Sequence, residues 1–345
     1  MTVGGDGPRA PVAGGPSPHH PVLRSQAIAT LSPRAGGTYL DGTFGAGGYS
    51  RAILETSGAR VIGLDCDPTA AAAAMAVSAE HPETFSFRQA NFGGLDKIVD
   101  EFGLDPLDGV VLDIGVSSMQ LDQAERGFSF RADGPLDMRM DREGPSAADL
   151  VNTADETTLA NILYRYGEER ESRRIARAIV ADRVETPFLR TKQLAELVAR
   201  IVRSSPKGVH PATKTFQALR IAVNDELGEL LSGLAASERV LASNGVLAVV
   251  TFHSLEDRIV KRFLSRNAGR GGSGSRHLPE STDRRTPSFI LPAGQPVVPT
   301  TAEVESNPRA RSAKLRFGIR TSAPPLGLDS ELRALADAGP MTNRR

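Results

Sequence analysis

Residues Leu40 to Ser50 read Leu-Asp-Gly-Thr-Phe-Gly-Ala-Gly-Gly-Tyr-Ser, a glycine-rich turn between an apolar stretch and an amphipathic one. Glycines in that setting let the backbone turn tightly and approach a ligand closely. About twenty residues on, Asp65 closes the next apolar stretch, where a carboxylate can accept both ribose hydroxyls of a nucleoside cofactor. NAD and S-adenosylmethionine both offer such a ribose, so the turn must decide between them. A dinucleotide loop starting at Gly45 needs Gly or Ala at position 50, and Ser50 stands there. S-adenosylmethionine has no pyrophosphate; it carries an ammonium and a sulfonium, and an acid such as Asp41 just before the glycines suits that positive end. The turn therefore favours a methyl donor.

Other candidates fall just after apolar stretches. Asn91-Phe92 places an aromatic where it can lie on adenine, Asp113 follows Val110-Val111-Leu112, and Gln120 comes shortly after. An acid after such a run is costly to bury without a partner. His253 and Ser254 follow a further apolar run. Gly208 to Thr215 resembles a phosphate loop, but Thr213 replaces its second glycine and Pro211 interrupts it, so an ATPase is excluded. Lys214 and Thr215 more simply begin a helix whose N-terminus suits an RNA phosphate.

The elements that must position these residues alternate strand and helix, as a doubly wound sheet requires. Strands are expected at Thr38 to Asp41, Arg60 to Asp65, Phe85 to Gln89, Asp108 to Ile114, Gly245 to Phe252 and Ala313 to Ile319. The alternation pauses at an irregular stretch, Ser117 to Asp149, and then at helices with apolar residues on one face, such as Leu159, Ile162, Leu163 and Tyr166. One long helix is expected from about Thr215 to Leu241. This gives an α/β fold with an inserted helical subdomain: a disordered segment 1–18, a cofactor domain 19–116 and 215–320, an insert 117–214, and a disordered tail 321–345. A mobile loop is expected from Asn267 to Thr286.

Composition narrows the class. The single Cys66 excludes a disulfide scaffold and cysteine-based zinc sites, and no metal is expected. No apolar run approaches the roughly 18–20 residues of a membrane span, and Met1 to Pro18 lacks the pattern of a secretory signal, so a cytoplasmic protein is expected. Net charge is zero, from 41 basic and 41 acidic residues, yet the distribution is uneven. Leu121 to Ala160 holds nine acidic and four basic residues, Asn161 to Arg220 thirteen basic and six acidic, and Arg258 to Arg320 thirteen basic and four acidic. Basic segments can track a phosphate backbone, although many are merely solvated faces.

Longer strings carry a resemblance. Asp113-Ile114-Gly115-Val116-Ser117-Ser118, Glu125-Arg126-Gly127-Phe128-Ser129-Phe130, Gly134-Pro135-Leu136-Asp137-Met138-Arg139, Tyr166-Gly167-Glu168-Glu169-Arg170, His210 to Gln217, Phe252-His253-Ser254-Leu255-Glu256-Asp257-Arg258 and Asn307-Pro308-Arg309-Ala310-Arg311-Ser312 stand in order along the chain. Together with His20-Pro21-Val22-Leu23 and the glycine turn, they make the chain resemble the bacterial 16S ribosomal RNA (cytosine-N4)-methyltransferases over roughly residues 19 to 320. The resemblance implies a Rossmann-like class I methyltransferase that methylates one cytosine amine in the decoding region of the small subunit. It implies an S-adenosylmethionine site of Gly47, Gly48, Tyr49, Asp65, Phe92, Asp113 and Gln120. Its partner would be 16S rRNA within the small ribosomal subunit, and a homo-oligomer is compatible with it. The family usually has His where this chain has Tyr49.

A cytosine amine is a poor nucleophile, so such an enzyme must orient it and accept hydrogen bonds from its protons. Asp137, His253 or a backbone carbonyl after Asp113 are the candidate acceptors. An unstacked base wants an aromatic platform, for which Phe128 and Phe130 are placed, unless they simply pack beneath the loop. Three other readings compete. An NAD oxidoreductase lacks its third small loop residue, a DNA amino methyltransferase lacks its Pro-Pro string, and a non-enzymatic assembly factor would have no use for the donor-site residues.

Overall fold

The structure, a computed structural model, describes residues 21–203, 210–270 and 286–337. Five strands alternate with helices on the parallel side of the sheet: Thr38–Asp41 (β1), Arg60–Asp65 (β2), Phe85–Gln89 (β3), Leu107–Asp113 (β4) and Leu241–Thr251 (β5). Phe289–Ile290 (β6) and Lys314–Arg320 (β7) complete a seven-stranded sheet of order β3-β2-β1-β4-β5-β7-β6. β1 to β5 run parallel, and β7 pairs antiparallel to both β5 and β6.

The helices around the first four strands are Arg24–Leu31 (α1), Gly48–Leu54 (α2), Ala70–Glu80 (α3) and Leu95–Glu101 (α4). The insert holds Ser118–Asp122 (α5), Ala147–Thr153 (α6), Glu156–Gly167 (α7), Ser172–Asp182 (α8) and Thr191–Ile201 (α9). Thr213–Asn224 (α10) and Glu226–Val240 (α11) lead into β5, and Ser254–Asn267 (α12), Thr301–Ser306 (α13) and Ser330–Ala336 (α14) finish the chain.

Alternation along each strand separates two cores. Leu40, Val110, Leu112, Leu247 and Val249 face α4, α11 and α12, whereas Tyr39, Val111, Ala248 and Val250 face α1, α2 and α3. Such double coverage explains why these strands are apolar throughout. The first of these cores runs without a break into the insert, where Leu159, Leu163, Ile175, Ile179, Leu194 and Val198 are buried in the same cluster. The insert is thus fused to one face of the sheet.

Two expectations are corrected. The single helix foreseen from Thr215 to Leu241 is two helices, broken where Asp225 takes a left-handed conformation with φ 48°. Arg220 and Glu226 close the break with two hydrogen bonds of 2.6 and 2.7 Å. Apolar periodicity alone does not register a one-residue stop. The tail expected to be disordered from 321 is ordered through 337. Leu332 is buried, Glu238 accepts the amides of Leu326 and Gly327, and the Tyr166 hydroxyl donates to Ala336 O. Its partners lie far away in sequence, which is why composition misread it. The expected disordered segment 1–18 and most of the loop from Asn267 to Thr286 lie outside the described residues.

Candidate active site

The carboxyl ends of β1 to β5 share one edge, and the strand order reverses between β1 and β4. Open α/β sheets bind ligands at such a switch point. Asp41 and Asp113 end the two strands that flank it. Beyond Asp41 the turn is stitched to β4 by the Gly42 amide, which donates to Val111 O at 2.9 Å. A Cβ on Gly42 would come within 2.4 Å of the Leu112 side chain, so only glycine fits. Gly47 has φ 81°, and a Cβ there would meet the Phe44 ring at 2.8 Å. Gly48 opens α2 beneath the Pro21 ring.

Asp41 is fully buried. The Ser50 amide and hydroxyl donate to its Oδ2 at 3.1 and 2.7 Å, and the Thr43 amide to its Oδ1 at 3.3 Å. Burial pushes its carboxyl up to about 6. The acid expected to meet a cofactor's positive end therefore holds the turn in shape, and Ser50, the residue at odds with a dinucleotide loop, is its partner. Asp65 accepts the Gly45 amide at 2.7 Å and the Asp67 amide at 2.8 Å, and burial raises its carboxyl. Two residues on, Asp67 takes the Gln120 amide and the buried Arg126 guanidinium, each at 2.7 Å. Burial alone would raise Asp67, but the Thr69 amide, Gln120 and Arg126 outweigh it and hold the carboxyl below its usual range.

The β4–β5 rim is different. The Asp113 amide donates to Thr43 Oγ1 at 2.7 Å, while Asp113 Oδ1 is buried with no hydrogen-bond partner among the described residues. Burial first, then the neighbouring charges of Asp41 and Glu256, push this carboxyl well above the usual range. His253 caps α12, its Nδ1 accepting the Glu256 amide at 3.4 Å, and Glu256 Oε2 accepts the Phe252 and His253 amides. Glu226, His253 and Glu256 offer ligand atoms within 4.8 Å of one another. Proximity alone does not make this a metal centre. A ligating histidine normally donates its second nitrogen's proton, whereas His253 Nδ1 accepts, which leaves the hydrogen on Nε2 facing Glu256 Oε1 at 2.8 Å. Both Glu226 oxygens are already taken by Arg220.

The remaining expected residues divide. Phe92 is half-buried against α11, where a Cβ on Gly233 would touch its ring at 2.5 Å. Gln120 reaches the site only through Asp67 and the Ser117 amide. The Tyr49 hydroxyl is buried and donates to Val22 O at 2.7 Å; burial first, then the charges of Asp113 and Asp41, push it well above its ordinary range. Asp137 is held by Arg139 at 2.9 and 2.7 Å, which outweighs burial and lowers its carboxyl. Neither it nor His253 presents a free acceptor atom to the crevice. Phe128 is buried with the Arg126 guanidinium 5.6 Å from its ring centre, and Phe130 is half-buried. Sequence reasoning missed Arg126, Glu226 and Glu256. The string Glu125-Arg126-Gly127 gave no local signal, because the partner that buries Arg126, Asp67, meets it only in three dimensions.

Comparison with known proteins bears on this geometry. Residues 16–320 match the model of the MraW methylase family. A Beijerinckia indica protein named ribosomal RNA small subunit methyltransferase H is 58% identical over 96% of this chain and 94% of its own. One of the same name from Rhodopseudomonas palustris is 60% identical over 89% of this chain and 92% of its own. An rRNA methylase from Streptococcus thermophilus superposes with TM-score 0.38 at 9% identity over 87% of this chain and 94% of that one, too loosely to add to these matches.

Proposed function

The chain belongs to the MraW methylase family, and we propose that it methylates the N4 amine of a specific cytosine in the decoding region of 16S rRNA, within the small ribosomal subunit, in the cytoplasm. S-adenosylmethionine supplies an electrophilic methyl on a sulfonium. The residues at the switch point fit that group. The Gly47-Gly48 turn offers backbone without side chains, Asp65 sits where ribose hydroxyls can be accepted, and Phe92 offers a ring face for adenine.

The observation that carries the reading is Asp113 at the switch point, whose Oδ1 is buried with no hydrogen-bond partner among the described residues. A buried carboxylate in that state is costly until a donor or a cation meets it. Both a cofactor ammonium and a cytosine amine are donors of the right kind. Catalysis by this chain rests on orientation, the amine being held in line with the methyl and its lone pair turned away from ring conjugation. Asp113 fixes the donors, Thr43 fixes Asp113 through its amide, and the methylated amine releases its proton to water. Asp137 stays bound to Arg139, and we assign it no proton transfer. The helical insert, with twelve basic residues between Asn161 and Lys214, supplies the grip on RNA.

The test is incubation with labelled S-adenosylmethionine and small subunits lacking native methylation, followed by nucleoside mass analysis. N4-methylcytidine that disappears in Asp65→Ala is the expected result. Cofactor binding without transfer to any small-subunit RNA would overturn the substrate assignment.

A further inference from the structure

Resting on the methyl-transfer reading, we propose that Phe130 and His210 form a stacking platform for an unstacked nucleobase of the RNA substrate. The His210 imidazole lies on the Phe130 ring with centroids 4.5 Å apart and an interplanar angle of 29°. Behind it, Phe130 rests against the edge of buried Phe216 at 4.9 Å and 75°, so the lower part of the stack is fixed by the core. His210 is exposed, and the stack ends in solvent. Its Nδ1 accepts the Ala212 amide at 3.1 Å, which sets the plane of the ring and leaves the hydrogen on Nε2. A planar ring, backed by a second ring and held from its own backbone, is what a base face can stack upon.

Placement supports this use. Phe130 lies four residues beyond Arg126, which is anchored on Asp67 past the end of β2. His210 lies four residues before Lys214, whose ammonium donates to Glu168 O, and Glu168 in turn takes the Ser254 hydroxyl at the start of α12. The two halves of the platform are thus tethered to the two rims of the crevice. Phe128, the other aromatic of the string, is buried and has no face to offer.

The test uses a single-stranded RNA carrying 2-aminopurine, whose fluorescence falls when the base stacks, so no methyl transfer is needed to read it. With the full chain, quenching is expected. His210→Ala and Phe130→Leu should each weaken the RNA affinity about tenfold or more, the usual loss when a base–aromatic stack is removed. His210→Phe should restore quenching, and S-adenosylmethionine affinity and melting temperature should not move for either His210 variant. Wild-type quenching that survives both His210→Ala and Phe130→Leu within twofold would overturn the platform, and so would His210→Phe being as defective as His210→Ala. Quenching without methylation of any small subunit would leave the platform standing and sink the methyltransferase reading instead.

Discussion

The two rims of the crevice are built from the same materials to opposite ends. At the β1–β2 rim Asp41, Asp65 and Asp67 spread their carboxylate oxygens over amides, hydroxyls and a guanidinium. At the β4–β5 rim His253 Nε2 faces only Glu256 Oε1, at 2.8 Å, and Asp113 Oδ1 is buried with no hydrogen-bond partner among the described residues. A saturated network fixes shape, whereas an unsaturated one gains free energy when a ligand arrives. The difference separates a scaffold that must exist before binding from a surface finished by binding.

Four substitutions break or sharpen this contrast. The largest effect belongs to Arg126→Met, which strands Asp67 in a buried position. Loss of one partner of such a pair costs about 3–5 kcal/mol, to be read from denaturant unfolding, and a cost under about 1 kcal/mol would show that the first rim is not saturated in solution. Next comes Asp41→Asn. Asp41 is raised to about 6 in the folded chain against an ordinary value of 3.8. A raised folded pKa means stability that is full below the ordinary value and is lost as pH rises through the folded one. Wild type should therefore lose up to roughly 3 kcal/mol relative to Asp41→Asn between about pH 4 and pH 7; parallel pH–stability curves for the two proteins would contradict the assignment.

Asp113→Asn probes the other rim. It removes an acid whose ionised form is disfavoured by burial and by Asp41 and Glu256, so the ligand-free protein should hold or gain stability while S-adenosylmethionine affinity drops about ten- to a hundredfold, as for a charged hydrogen bond of roughly 1.5–3 kcal/mol. Calorimetry at neutral pH reads both, and a variant that is unstable yet binds normally would reverse the roles of the rims. The smallest effect is that of Tyr49→Phe. It deletes the bond to Val22 O and should cost about 1 kcal/mol, with cofactor affinity unchanged because the hydroxyl's proton is already committed to Val22 O.

The sequence made the sheet legible because its strands are short apolar runs closed by acids, and Asp41, Asp65 and Asp113 mark three of the strand ends. Burial on both faces left little room for another interpretation of those runs. The roles of the acids were less legible. Asp41 looked like a ligand group because nothing in the local string shows that Ser50 folds back onto it. Gln120 looked like a direct contact because Asp67 and Arg126 meet it only in three dimensions. Tyr49 was uncertain for the same reason, its partner Val22 lying across a helix, a strand and a turn. The break at Asp225 escaped because a left-handed residue leaves helical spacing intact on both sides.

The position of β7 has a consequence for how the molecule is born. It fills the slot between β5 and β6, and α14 beyond it stitches the insert to the sheet through Tyr166 and Ala336. Those residues leave the exit tunnel long after the insert has emerged. Folding during synthesis can proceed from the N-terminal side, with the insert already packed on the sheet core, and the tie from Tyr166 to Ala336 is the last to form.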